Sequence, residues 1–241
     1  MILHYTESGF LVIMPQDNAH NIVDAMLQTG YGEEFCVSPD FDPDFISRLM
    51  EAGFLVMSSR FADDEESAST EAGPLRYILL PKLHLTRSIL LFNQLHVKKS
   101  IKRYLNRFEL RFDTDFDEIV SRCLELHGDG WLTPPLIAAI RTIRQNKPYG
   151  VYPASFGLYR NGKLVAGEFG VTVGRVYTSY SGYYDESNAG TVQLILAARF
   201  LQQHGFAFFD LGMPLDYKTD LGAANLSPEE FIQLFRAGIY S

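Results

Sequence analysis

The chain has 241 residues, 46% hydrophobic and 13% aromatic, enough to bury a sizeable core in one large domain or two modest ones. Its longest apolar stretches, such as Leu194–Ala198, fall far short of the roughly 20 residues of a membrane span, and its N-terminus has no basic segment leading into an apolar run, so a cytoplasmic protein that does not enter the membrane is expected. Two cysteines, Cys36 and Cys123, with no second Cys or His at ligand spacing, indicate neither a disulfide framework nor a zinc site, and a net charge of −8 argues against nucleic-acid binding unless positive charge is concentrated locally.

Residues 1–80 read as a small N-terminal α/β domain. Apolar Phe10–Met14 is followed by a helically periodic stretch over Ile22–Leu27. Asp42 then supplies an N-cap and Pro43 a first helical residue for a helix through Met50 that closes at Gly53. From 60 to 73 the chain carries Asp63-Asp64-Glu65-Glu66 and Ser67-Ala68-Ser69-Thr70, too little apolar surface to offset the entropy of ordering, so a mobile acidic loop is expected. The alternative is a phosphate mimic that covers the basic segment.

Residues 81–241 begin with that basic segment. Between Lys82 and Arg111 stand eight basic residues against the single acid Glu109, a local excess of seven positive charges. Over Val97–Asn106, Lys98, Lys99, Lys102 and Arg103 recur at helical spacing opposite Ile101, Tyr104 and Leu105, which predicts one basic face and one packed face. Asp115–His127 is an amphipathic helix, and Thr133-Pro134-Pro135 opens another through Arg144, because the first helical turn leaves its N–H groups unpaired in any case. Gly128-Asp129-Gly130-Trp131 lies between them.

Ser155–Arg160, the turn Asn161-Gly162, Lys163–Val173, Gly174 and Arg175–Tyr184 predict a three-stranded antiparallel meander, since Asn-Gly supplies both positive-φ positions of a type I′ turn. An apolar helix over Val192–Gln203, a short strand over Phe206–Leu211 that contains Asp210, and a capping box at Ser227-Pro228-Glu229-Glu230 complete the chain. Helices, meander, helix, strand is the order of GNAT-type acyltransferases, whose sheet splays after the central strand to admit an acyl donor; order alone does not assign function.

The residues from about Asp42 to Phe231 resemble the leucyl/phenylalanyl-tRNA–protein transferase family. Leu95-His96-Val97-Lys98-Lys99-Ser100-Ile101-Lys102-Arg103 resembles its L-H-I-S-R-S-M-K-R stretch, Trp131-Leu132-Thr133 its W-I-T, and Leu164–Val171 its L-V-G-G-M-Y-G-V. Asn188-Ala189, Asp210 and Leu221-Gly222-Ala223 follow in the family's order. Leu83-His84-Leu85-Thr86-Arg87-Ser88 echoes the basic motif earlier in the chain; the later copy is preferred because Lys102-Arg103 follows it. The departures are specific. Ser179-Tyr180-Ser181 stands where the family has Gly-Glu-Ser, Gly212 where it has Gln, Phe54-Leu55-Val56-Met57 where it has F-P-W-F, and Pro153-Ala154-Ser155-Phe156 where it has His-Ser-Ile-Glu.

The resemblance implies an α+β architecture: a GNAT-like acyltransferase domain with a mixed, mainly antiparallel sheet after a small α/β domain. It also implies transfer of leucine or phenylalanine from an aminoacyl-tRNA, with no further cofactor and no metal, onto the N-terminus of an acceptor protein. Lys98, Lys99, Lys102, Arg103 and Arg107 would contact tRNA phosphates. Trp131, Ser155, Ser179 and Asn188 would line the donor site, with Trp131 offering a face on which the terminal adenine stacks. Asp210 and Tyr180 are the candidates for chemistry: Asp210 would orient or deprotonate the amine, and Tyr180 would hydrogen-bond the donor. Each has a structural alternative, a strand-end cap for Asp210 and sheet packing for Tyr180. Two further readings stay open, a paralogue that binds without turnover and another GNAT-type N-acyltransferase. Asp185-Glu186-Ser187-Asn188-Ala189-Gly190 is acidic with one glycine, which speaks against acetyl-CoA as donor. A monomer is expected.

Overall fold

The computed structural model describes residues 3–61 and 76–240, so most of the acidic loop expected over 60–73 lies outside the described residues, while Arg60 and Phe61 still belong to a strand. The N-terminal part opens with β1 (His4–Tyr5), β2 (Leu11–Val12) and α1 (Ala19–Thr29), followed by β3 (Cys36–Val37), and the three short strands form one small sheet. Helix α2 (Pro43–Glu51) begins where Asp42 accepts from the Phe45 N–H at 2.9 Å, as the cap and the adjacent proline predict. Strands β4 (Leu55–Phe61) and β5 (Arg76–Lys82) pair antiparallel as a separate hairpin.

The rest of the chain builds a seven-stranded sheet. Its elements are β6 (Arg87–Leu90), α3 (Lys99–Lys102), β7 (Glu109–Phe112), α4 (Phe116–His127), α5 (Pro134–Asn146), β8 (Val151–Arg160), β9 (Lys163–Val173), β10 (Val176–Tyr184), α6 (Ala189–Gln203), β11 (Phe208–Gly212), α7 (Asp216–Asp220), β12 (Ala224–Leu226) and α8 (Pro228–Ile239). The strand order is β12-β6-β11-β10-β9-β8-β7, antiparallel throughout except for the parallel pair β10–β11. The meander β8–β9–β10 is present, and Asn161 and Gly162 both take positive φ, as the type I′ turn requires. The ten-residue basic helix is not: α3 is a single turn, with a short 3-10 turn at Leu105–Arg107 after it. Ile101 and Leu105, four apart, are its buried anchors.

One apolar cluster runs from Leu11, Ile13, Phe45 and Leu49 of the N-terminal part to Val171, Val173, Phe208, Phe231 and Phe235 of the later part. On the opposite face of the large sheet, α6 packs Ala197, Ala198 and Leu201 against Phe156, Tyr177 and Phe209. The central strands are therefore covered on both faces, and polar groups on them are sealed from water unless the strands separate.

Candidate active site

The strands do separate. β10 and β11 pair only over Val176/Phe208, Tyr177/Phe209 and Thr178/Asp210, after which β10 runs on with β9 alone and β11 with β6 alone. Both strands are irregular at that point. On β10 the register shifts between Ser179 and Ser181, which leaves Tyr180 as an extra residue, and on β11 it shifts between Asp210 and Gly212. A parting pair of parallel strands leaves backbone groups without a partner across the gap, and the residues that flank it here are Ser179, Tyr180, Asp210 and Gly212.

Asp210 is fully buried and accepts four hydrogen bonds. Arg87 grips it with Nε on Oδ1 at 2.9 Å and Nη2 on Oδ2 at 2.6 Å, Thr178 Oγ1 donates to Oδ2 at 2.8 Å, and the Gly212 N–H donates to Oδ1 at 3.0 Å. Arg87, 1% exposed, spends its remaining arm on His84 Nδ1 at 2.9 Å and lies over the Phe231 ring at 4.5 Å. Burial, reinforced by the Arg87, Lys82 and Lys218 charges, pushes His84 down to about 2, so its imidazole is neutral and accepts from Arg87. The earlier copy of the basic motif, Leu83–Ser88, thus supplies buried structural partners, a role its spacing alone did not reveal.

Tyr180 belongs to an aromatic row. Trp131, half-buried, stacks on Phe169 at 6.3 Å with 6° between the planes, and Phe169 meets Tyr180 at 6.2 Å. The Tyr180 hydroxyl accepts from the Val56 N–H of β4 at 3.3 Å, and burial holds its pKa well above the usual tyrosine value. A cavity of about 10 Å³ beside it, lined by Phe54, Val171, Thr178, Tyr180 and Phe235 among others, has room for about one water and none for an amino-acid side chain.

The other expected donor residues are dispersed. Ser155 is fully buried on β8 and donates to the Thr114 carbonyl at 2.8 Å, so it anchors the turn before α4. Asn188 sits in the left-handed region as the residue before α6, its side chain 3.4 Å from Ser187 Oγ rather than capping the helix. Lys98, Lys99, Lys102, Arg103 and Arg107 are all exposed; Lys98 pairs with Asp220 at 2.5 Å, and Arg103 and Arg107 flank the Tyr104 ring, each at 5.0 Å.

Two buried ionisable side chains beside the parting strands were not singled out from the sequence. Glu168 on β9, 2% exposed, accepts from Ser179 Oγ at 2.9 Å and is pushed up to about 7 by burial. Lys218 on α7, 7% exposed, donates to the carbonyls of Leu211 at 2.5 Å and Met213 at 2.8 Å, and burial pulls it down to about 8. A lone Glu in a strand and a lone Lys in a five-residue helix give no periodic signal; only the packing brings them to one place.

A crystal structure of FemX, 9% identical, superposes with a TM-score of 0.48 over 93% of this chain and 81% of that one. The leucyl/phenylalanyl-tRNA–protein transferase of Campylobacter jejuni (strain RM1221) is 25% identical over 202 residues, 83% of this chain and 86% of that protein. Its counterpart in Azoarcus sp. (strain BH72) is 32% identical over 143 residues, 57% and 59% of the two chains. The model of the leucyl/phenylalanyl-tRNA protein transferase family matches residues 89–236, a span that contains the later basic motif, the meander and the parting strands and that leaves out Leu83–Ser88. With more than half of its length matched in this way, the chain belongs to the leucyl/phenylalanyl-tRNA protein transferase family.

Proposed function

We propose that this protein transfers an amino acid, leucine or phenylalanine by the names of its relatives, from an aminoacyl-tRNA to the N-terminal amine of an acceptor protein. The observation that carries the reading is the parting of β10 and β11 within the span matched by the family model. In this reading residues 81–241 form a GNAT-like transfer domain, residues 1–80 a small domain before it, and the protein works as a cytoplasmic monomer with the aminoacyl-tRNA as donor and no cofactor.

The reaction needs a neutral amine, a positioned ester carbonyl and stabilisation of the oxyanion as the bond to the ribose oxygen breaks. Asp210 fits a positioning role better than that of a base. Its four donors fill its oxygens, and an amine could reach them only by displacing Arg87 or Thr178. Trp131 fits the donor's terminal base, since one of its faces lies on Phe169 and the ring is only half-buried. Ser179, half-buried at the bulge, fits a contact to the donor, and a side chain of the donor amino acid requires the space beside Tyr180 to open.

Purified protein incubated with individually charged tRNAs and peptides beginning in Lys, Arg or an acidic residue should yield a labelled peptide for at least one pair. No product from any pair would remove the enzymatic reading. The second reading, a paralogue that binds tRNA without turnover, is favoured by the filled carboxylate of Asp210 and the tied hydroxyl of Tyr180. It predicts tRNA affinity without product in the same assay.

A further inference from the structure

We infer that Glu168 and Lys218 are positioning residues for the transfer reaction, each holding one lip of the β10/β11 opening and together setting how far it parts. This rests on the aminoacyl-transfer reading only for its kinetic consequence; the geometry stands by itself.

Each side chain reaches one lip. Glu168 Oε2 accepts from Ser179, the residue at which β10 leaves its regular register and throws Tyr180 out as the extra residue. Lys218 Nζ gathers the carbonyls of Leu211 and Met213, which flank Gly212, the residue at which β11 becomes irregular. Gly212 needs to be glycine or a residue tolerant of the left-handed region, with φ of 72°, and a Cβ there would sit 4.0 Å from the Ser179 carbonyl, so the lips are close at this point.

Packing alone does not require a charge at Glu168. Glu168 is sealed on a central strand, with Ser179 as its close donor and the Tyr177 hydroxyl and Gln193 side chain facing the same carboxyl. A glutamine in place of Glu168 would cost less, because a buried carboxylate carries a larger desolvation penalty than an amide. Buried ionisable groups retained in an opening at such a penalty are the pattern of functional sites.

The charges that face Glu168 are few. Lys218 from α7 attracts it, the Tyr177 and Tyr217 hydroxyls and the Cys123 thiol are neutral at ordinary pH, and Ser179 and Gln193 are uncharged. Lys218 in turn faces Asp210, Glu168 and Arg87, with His84 nearby and neutral. Glu168 and Lys218 do not form a direct ion pair among the described residues, so their attraction acts across the opening. It is strongest in a window around neutral pH, where the largest fraction of molecules carries both charges. As pH falls Glu168 gains its proton, and as pH rises Lys218 loses one, so the attraction fades on both sides.

The test compares the parent with Glu168→Gln and Lys218→Met in two measurements across pH. The first is amide hydrogen exchange of Ser179–Ser181 and Leu211–Met213 in the tRNA-free protein, expressed as protection. The parent should be best protected within the window, and either variant should lose that maximum. The second is transfer: kcat should fall by about 10²-fold, the scale of a roughly 1 Å misplacement, with tRNA affinity unchanged. Parental transfer should decline above about pH 8, where deprotonation of the acceptor amine can only favour attack. Exchange in both variants that follows the parent at every pH overturns the inference, as does parental kcat in both. If the parent transfers nothing, the functional reading fails while the exchange data still decide the positioning role; if one variant does not fold, the other holds the opposite lip and decides the question in its place.

Discussion

Asp210 shows how a residue's surroundings decide what it can do. Its position was legible from a short aromatic strand ending in an acid, but its partners were not, because Arg87 lies 123 residues earlier. In isolation Asp210→Asn is a nearly isosteric change. In this fold it leaves the Arg87 guanidinium, 1% exposed, without its carboxylate. Removing one partner of a buried pair costs about 3–5 kcal/mol, so Asp210→Asn should lower the melting temperature markedly and weaken transfer through the fold; a variant as stable as the parent would show the pair to be dispensable. Glu168 gives the opposite case. Its pKa is about 7 in the folded protein against an ordinary 4.5, so as pH rises between those values the unfolded chain loses the proton first and the folded state loses stability, with the full penalty of about 3 kcal/mol present above about pH 7. His84 works against it, since its depressed pKa makes the folded state lose stability as pH falls below about 6.5. Glu168→Gln should therefore raise the denaturant midpoint at about pH 8 and lose most of that advantage near pH 5; an equal gain at both would show the carboxyl to be ionised like an exposed one. A variant that is more stable and slower would mark Glu168 as a group kept for activity at the expense of stability.

At the scale of elements, α8 ties the two parts of the chain together. Phe231, Ile232 and Phe235 are its buried face; Phe231 lies under Arg87, and a Cβ on Gly53, whose φ is 105°, would come within 2.8 Å of Ile232. The helix starts with a complete capping box, Ser227 accepting from the Glu230 N–H and Glu230 from the Ser227 N–H. Ser227→Ala should cost about 1 kcal/mol in unfolding free energy, and no loss by denaturant titration would mean that the packed face alone fixes the helix start. This box, the Asp42 cap and the Asn161-Gly162 turn were all readable in the sequence because each is satisfied within four residues. The β12-β6-β11 edge was not, since four-residue β6 joins strands that follow it by more than 110 residues and its pattern is fully buried rather than alternating. The basic stretch misled for a related reason: Ile101 and Leu105 have helical spacing, which a single turn followed by a 3-10 turn satisfies as well as a continuous helix.

For the molecule as a whole, the question is how a chain of net charge −8 would hold a polyanion. The local excess between Lys82 and Arg111 is smaller at the surface than in the sequence. Lys82 pairs with Glu34 at 2.8 Å and Arg87 is sealed inside on Asp210, so two of the eight cations are withdrawn from the surface, while Arg111 is in an exposed pair with Glu109. Lys98 is likewise held by Asp220, and both of these exposed pairs are worth little. Among the described residues Lys99, Lys102, Arg103 and Arg107 remain exposed without an ion-pair partner. If these meet tRNA phosphates, affinity should fall linearly in log–log form with added salt, because each neutralised phosphate releases counterions. Replacing Lys99 and Lys102 by Glu should weaken binding of different tRNAs alike and flatten the salt slope by about one for each lysine removed. Lys98→Ala should do less, since that ammonium must first leave Asp220. Unchanged affinity in the double variant, with the parental salt slope intact, would place the tRNA on another surface and leave the acidic remainder of the molecule, which repels it, without a local counterweight at α3.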